Sequence, residues 1–244
     1  MSRPLSIVIA VLNEARNVGP VCAELSKMAA SFPEHEVIFV NDGSTDDTLA
    51  SLRAARAAGL TQMRIISHDR RLGKSAALRT GIEAAQGQWI ATMDGDGQDD
   101  PATIIAMYRA ATHAMEAEAE APIVVGVRRK RRDGLSRRLA TRIANGLRQK
   151  LLKDGCPDTG APMKLFRRDM FLRLPQFEGL HRFLPALFGT YGAKLICIET
   201  QHRPRLHGSS KYTNFGRACV GLRDMMGVAW LQNRTRLPRQ LTEE

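Results

Sequence analysis

Four carboxylates and a glutamine stand within the seven residues Asp94-Gly95-Asp96-Gly97-Gln98-Asp99-Asp100, directly after the apolar run Trp89–Met93. So many like charges repel one another unless a cation or a set of donors offsets them. In an extended segment Asp94, Asp96 and Gln98 share a side, and such hard oxygen ligands suit a divalent cation. The other reading is a solvated acidic loop, with Asp99 and Asp100 capping the helix that opens at Pro101. A calcium EF-hand is excluded, because its sixth position would be Asp99 rather than glycine and its twelfth Ile105 rather than glutamate. A Mg2+ or Mn2+ site shared with substrate phosphates remains, since these ions take one or two carboxylates and leave positions for the ligand. Two phosphate-loop patterns fail. Gly73-Lys74-Ser75 ends like a Walker loop, but the required first glycine falls at His68. After Gly95 and Gly97, the third glycine of a dinucleotide turn is Asp100.

The elements that must position these residues follow from periodicity. Leu5–Leu12, Val37–Asn41, Met63–Ser67, Trp89–Met93 and Ile123–Val127 read as buried strands. Asn17–Ser31, Asp46–Ala58, Ser75–Gln86 and Pro101–Ala121 read as helices, with Asp46 as a cap and Gly59 and Gly87 as stops. This alternation predicts an α/β fold, a mainly parallel sheet with helices on both faces. In such a sheet ligands bind beyond the carboxyl ends of the strands. Asn41-Asp42-Gly43 and Asp94-Gly95-Asp96 both stand at such ends and are expected to meet in one cleft. Further on, Met163–Phe166 and Lys194–Glu199 read as strands, and His181–Tyr191 and Asn214–Gln232 as helices. One domain over 1–232 is expected, with a nucleotide-binding half (1–127), an acceptor-side half (128–232) and a polar tail (233–244).

The 244 residues carry a net charge of +11 at pH 7, and the run Arg128–Arg132 opens a basic stretch that holds much of it. Such a surplus favours polyanionic partners without choosing among nucleic acid, anionic lipid and phosphorylated substrates. Aromatic residues are only 5% of the chain and no base-stacking motif is present, which argues against a nucleic-acid-binding module. Cys22, Cys156, Cys197 and Cys219 lie far apart, so reduced thiols in a cytosol are expected rather than zinc or a disulfide framework. No apolar run reaches the length of a bilayer span.

The stretches "SIVIAVLNEARNV", "IFVNDGSTDDT", "RLGKSAALRTGIEAAQGQWIATMDGDGQDDP", "DTGAPMKLFRRD" and "HRPRLHGSSKY", in this order, resemble family 2 glycosyltransferases. Within that family the pattern is similar to the dolichol-phosphate mannosyltransferase / polyprenyl-phosphate glycosyltransferase branch. The resemblance implies a GT-A fold, which is a Rossmann-like nucleotide-sugar-binding fold. It also implies a nucleotide-sugar donor carried on GDP or UDP, a divalent metal (Mg2+ or Mn2+) and inverting transfer to a lipid-linked phosphate. By position, it implies that Leu12, Asn13 and Glu14 form the first nucleotide-contacting turn, that Asp42 meets the base and that Lys74 flanks the nucleotide. It assigns Asp94, Asp96 and Gln98 to metal and donor, in the family's D-x-D-x-Q pattern, with Gly95 and Gly97 as departures that remove no ligand. It assigns Arg128 and Arg142 to phosphates, Asp158 and Lys164 to the acceptor side, and Ser210 and Lys211 to the acceptor loop. In the motif holding Asp158 and Lys164, Gly160-Ala161-Pro162-Met163 replaces the family's usual x-C-G-F.

The implied chemistry is economical. A phosphomonoester has a second pKa of about 6 and is largely dianionic near neutrality, so a polyprenyl phosphate acceptor needs no catalytic base. Asp94 and Asp96 then act through the cation on the departing diphosphate, while Arg128 and Arg142 offset acceptor charge. The rival reading is a family 2 enzyme acting on a soluble or glycan hydroxyl. It requires a carboxylate base, for which Asp158 is the candidate. A polyprenyl acceptor places the enzyme in the cytoplasm, peripheral on the cytoplasmic face of the membrane. The basic residues Arg129–Arg138 and the helix Phe215–Leu231 offer one means of holding it there. Two alternatives stay open, in which that helix packs on the core or a separate membrane protein supplies the anchor.

Overall fold

The computed structural model of the chain describes residues 4–32, 34–60, 62–117, 120–128, 146–201, 203–204 and 214–237. The apolar runs become β1 (Leu5–Val11), β2 (His35–Asn41), β3 (Met63–Ser67), β4 (Trp89–Asp94) and β5 (Ile123–Arg128). Between them lie α1 (Ala15–Ser31), α2 (Thr48–Ala57), α3 (Lys74–Ala84) and α4 (Ala102–Ala117). Residues 146–152 are the described part of α5. They are followed by β6 (Lys164–Arg167), α6 (Arg168–Arg173), a 3-10 turn (Leu180–Arg182), α7 (Leu184–Thr190), β7 (Leu195–Thr200) and α8 (Asn214–Arg234). The helix expected as one piece over His181–Tyr191 is interrupted at Phe183, because Pro185 lacks an N–H and starts a new helix as one of its first residues.

The seven strands form one sheet in the order β3-β2-β1-β4-β6-β5-β7. β1 to β4 are mutually parallel and β5 pairs in parallel with β7, whereas β6 runs antiparallel to both β4 and β5. The expected α/β class therefore holds, with one reversed strand in the sheet's interior. Alternate side chains feed two apolar layers. Val8, Ile38 and Ile90 enter one layer with Leu78 and Ile82 of α3, Phe188 of α7 and Val228 of α8. Ile7, Ile9, Phe39 and Met93 enter the other with Leu25 of α1 and Met107 of α4. A fully buried side chain of this size stabilises the fold by about 1.5–3 kcal/mol, so these layers fix the strand ends that carry the polar loops.

A buried polar knot sits at the opposite, amino end of the sheet. Glu36 accepts from the Ser6 hydroxyl at 2.7 Å, the Gln86 N–H at 2.6 Å and Arg64 at 3.0 Å. Burial pushes its carboxyl up, but the three donors outweigh that and leave it below its ordinary value. Its stabilisation is complete above the unfolded carboxyl's pKa and is lost as pH falls through the depressed folded one. Glu36→Gln is expected to lose about 2–3 kcal/mol in urea unfolding at pH 7, with the gap to the parent closing in acid.

α8 packs one side on the core and leaves apolar residues exposed on another. Met225 and Val228 are buried in the core, while Met226 (64% exposed), Trp230 (62%), Val220 and Leu222 face outward. Among the described residues no helix is long and apolar enough to cross a membrane.

Candidate active site

The carboxyl ends of β1, β2 and β4 bring the expected loops together. Asn13 turns the chain after β1 with φ +54°, a conformation that asparagine tolerates better than most residues. Its N–H donates to the Ser44 hydroxyl at 2.9 Å, and its side-chain oxygen accepts from the Thr45 N–H at 2.8 Å. The Glu14 N–H donates to the Thr48 hydroxyl at 2.8 Å. Asp46 accepts the Thr48 N–H at 3.0 Å and so closes the first turn of α2 from one residue before the cap, Asp47. The turn holding half-buried Leu12, Asn13 and Glu14 is thus stitched to the turn after β2.

Asp42 is buried and collects donors from a single loop: His68 Nδ1, the Leu72 N–H and the Gly73 N–H, each at 2.8 Å. It therefore pins the segment 68–73 over the sheet. A methyl group at Gly43 would overlap the backbone of Arg70 and Arg71, and the φ of +66° there also favours glycine. That close approach explains a glycine after Asp42. The same segment leads into α3, where Lys74 forms an ion pair with Asp94.

The acidic loop itself is not extended. It turns at Gly97 (φ +77°), so the extended geometry expected through Asp94, Asp96 and Gln98 is not kept. Asp96 is buried and its Oδ1 accepts the Gln98 N–H at 3.1 Å. The Gln98 side-chain nitrogen donates to the Arg203 carbonyl at 3.1 Å. Asp99, read from sequence as a capping residue, is instead buried and accepts the Asp94 N–H at 3.1 Å. Its carboxyl is pushed up to about 7, first by burial and then by the charges of Asp94 and Asp96. Asp100 keeps the capping role, accepting the Ala102 N–H at 3.1 Å. Three carboxylates thus crowd together, and the Lys74 ammonium answers one of them.

Across the cleft, Arg128 at the end of β5 grips Asp158 with a two-pronged contact, Nε to Oδ2 at 2.7 Å and Nη2 to Oδ1 at 2.8 Å. Burial alone would raise the Asp158 pKa, but the guanidinium outweighs it and holds the carboxyl below its usual range. The loop bearing Asp158 is fastened from behind by buried Arg148, which donates to Thr159 at 2.8 Å and to the Cys156 carbonyl, and lies 3.1 Å from Asp154. Sequence reading overlooked Arg148, whose one signal was an arginine on the apolar side of α5.

Lys164 lies on β6 between Thr92 and Val125 in the register, and its buried ammonium donates to the Ala161 carbonyl. Its pKa is pushed down to about 8, first by burial and then by the nearby Lys74. Below about 8 the fold carries a confined cation at a cost, which is relieved as pH rises from about 8 towards the ordinary 10.5. Lys164→Met is expected to raise stability at pH 7 by about 1 kcal/mol, after the lost hydrogen bond is counted. Thermal melts from pH 7 to 10 should show that advantage shrinking, while turnover falls. Arg142, Ser210 and Lys211 lie outside the described residues.

The arrangement is an acidic loop with Lys74, Arg128 and Lys164 near it at the carboxyl edge of an α/β sheet. The chain is 34% identical over 215 residues to the dodecaprenyl-phosphate galacturonate synthase of Rhizobium johnstonii, covering 86% of this chain and 62% of that protein. It is 28% identical over 209 residues to the undecaprenyl-phosphate 4-deoxy-4-formamido-L-arabinose transferase of Aeromonas hydrophila, covering 85% of this chain and 62% of the other. The chain thus spans about 62% of the length of these curated relatives. Among solved structures, glucosyl-3-phosphoglycerate synthase from Mycobacterium tuberculosis superimposes with a TM-score of 0.69 at 18% identity, over 94% of this chain and 80% of that one. The same enzyme with Mn2+, UDP and glucosyl-3-phosphoglycerate gives 0.67. These likenesses bear out the expected GT-A fold. Residues 6–174 match the model of Glycosyl transferase family 2, and the chain belongs to that family.

Proposed function

We propose that the chain moves a sugar, with inversion, from a GDP- or UDP-linked donor to a polyprenyl phosphate. The single observation that carries this reading is the clamp between Arg128 and Asp158. A hydroxyl acceptor needs a general base, and Asp158 is the carboxylate the sequence offers for it. Both of its oxygens are engaged by one guanidinium and its pKa is depressed, so it is a poor proton acceptor. A phosphate monoester is already ionised and needs none. The names of the relatives from Rhizobium and Aeromonas support the same acceptor class.

The residues present fit a divalent cation as a part-built site. Asp94, Asp96 and Gln98 offer hard oxygen atoms, and Asp99, raised first by burial and then by the charges of Asp94 and Asp96, stands beside them. Among the described residues no group of three His, Cys, Asp or Glu side chains is placed to hold a metal ion. In this reading the ion takes one or two carboxylates and fills its remaining positions with donor phosphates. When bound, Mg2+ or Mn2+ supplies Lewis-acid stabilisation of the leaving diphosphate. Asn13, Glu14, Asp42 and Lys74 shape the nucleotide side, and Lys164 and Arg128 place positive charge towards the acceptor. Arg142, Ser210 and Lys211 complete the acceptor side in this reading. The outward Leu222, Met226 and Trp230, with the basic segment after Arg128, give a peripheral contact with the cytoplasmic face of a membrane.

The test is a donor screen. Protein, Mn2+ or Mg2+ and a polyprenyl phosphate are incubated with each GDP- and UDP-sugar in turn, and the lipid is weighed by mass spectrometry. A gain of one sugar with at least one donor is expected. Transfer to a sugar hydroxyl, with no lipid product from any donor, would overturn the reading.

A further inference from the structure

β7 is the edge strand next to β5, separated from β4 by β6 and β5. Directly after it, the chain returns across the sheet's carboxyl end to the acidic loop, and Arg203 makes the connection. The Arg203 N–H donates to the Gln98 carbonyl at 3.1 Å, and the Gln98 carboxamide donates back to the Arg203 carbonyl at 3.1 Å. The guanidinium then reaches Asp100 at 3.0 Å and Glu24 of α1 at 3.4 Å. One residue therefore joins three segments: the loop after β4, the first helix and the strand exit that continues in sequence into Gly208-Ser209-Ser210-Lys211.

We infer that Arg203 is a positioning residue. It holds the Gln98 carboxamide in one orientation and ties the described residues 203–204 to the acidic loop. The inference rests on the reading of Asp96 and Gln98 as donor and cation ligands. The guanidinium is partly exposed, with 42% of its side-chain surface accessible. Its ion pairs alone are accordingly worth little. The two-way pairing with Gln98 is made by the Arg203 backbone, and the guanidinium's part is to hold that backbone in place by bridging Asp100 and Glu24. Asp100 is also the residue that caps α4, so the same guanidinium braces the far end of the acidic loop.

Arg203→Ala, Arg203→Lys and Glu24→Gln are compared with the parent in the full chain. Without ligand, hydrogen exchange of peptides covering 94–104 is expected to quicken about fivefold in Arg203→Ala while the melting temperature stays within about 2 °C. Unchanged exchange there overturns the inference. Calorimetric titration with Mn2+ and UDP, or Mn2+ and GDP, is expected to show about fivefold weaker binding in Arg203→Ala. Arg203→Lys should recover most of the loss, and Glu24→Gln should shift binding less than about twofold. Faster exchange with unchanged nucleotide affinity also overturns the positioning role, since it leaves a purely structural brace. A parent that gives no heat with either nucleotide counts instead against the proposed function, and the exchange result still decides whether the clasp exists.

Discussion

Asp96→Asn is expected to fold normally and lose at least about a thousandfold in kcat/KM, roughly 4 kcal/mol of transition-state stabilisation. Asparagine keeps an oxygen for the Gln98 N–H that Asp96 now serves at 3.1 Å, so the turn is preserved. What disappears is a negative charge from the group formed with Asp94 and Asp99. Removing it eases the repulsion that, with burial, raises the Asp99 carboxyl to about 7, so that pKa falls and the melting temperature holds or rises. A catalytic loss caused by damage to the fold would lower both. Thermal melts run beside lipid-product assays and Mn2+ titrations separate the two, and parent-like turnover in this variant would remove the acidic loop from the chemistry.

Arg128→Ala should hurt stability and activity through different partners. Deleting the guanidinium leaves Asp158 largely buried without its two-pronged partner, and breaking such a pair costs about 3–5 kcal/mol, nearer the lower figure here because each side chain keeps 18% of its surface accessible. Burial then dominates the Asp158 carboxyl and raises its pKa. In the parent the pair's stabilisation is complete above the unfolded carboxyl's pKa and disappears as pH falls through the depressed one. The stability gap between Arg128→Ala and the parent is therefore expected to be widest near neutrality and to narrow as pH falls. The double variant Arg128→Ala/Asp158→Ala removes the stranded charge and should regain much of the stability. On the proposed role of Arg128 in offsetting acceptor charge it should not regain turnover, and a loss of about a hundredfold or more is expected in both. Recovery of activity along with stability would mean that Arg128 serves only to hold the Asp158 loop.

Much of the nucleotide-side geometry could be read from local pattern. The strands from Leu5 to Arg128 alternate their apolar side chains at a period matched to two covered faces, and the polar turns follow them directly. Asn13, Asp42 and Asp94 therefore had to gather at one edge. Less legible was everything decided across long sequence separations. Met163–Phe166 reads as a strand, but no local signal says that it runs backwards between β4 and β5. Asp42 looks open to a ligand in the sequence, yet its oxygens hold His68, Leu72 and Gly73 from a segment more than twenty residues later. Alternation placed Gln98 beside Asp94 and Asp96, whereas the turn at Gly97 sends it to Arg203 and brings Asp99 into the carboxylate group. Arg148 and Arg203 were passed over because each stands among many other arginines, and only burial or tertiary pairing distinguishes them.

The reversal of β6 bears on how the molecule comes together during synthesis. β1 to β4 close through successive crossovers, so this part of the sheet can assemble from contacts already made by the growing chain. β5 emerges next but cannot dock on β4, because the place beside β4 belongs to β6, which is made later. Until Arg167 has left the ribosome, β4 presents an unpaired backbone edge and β5 has no neighbour in the sheet. Lys164 arrives on the strand that seals that gap, so the fold closes in the same event that puts the confined cation in place.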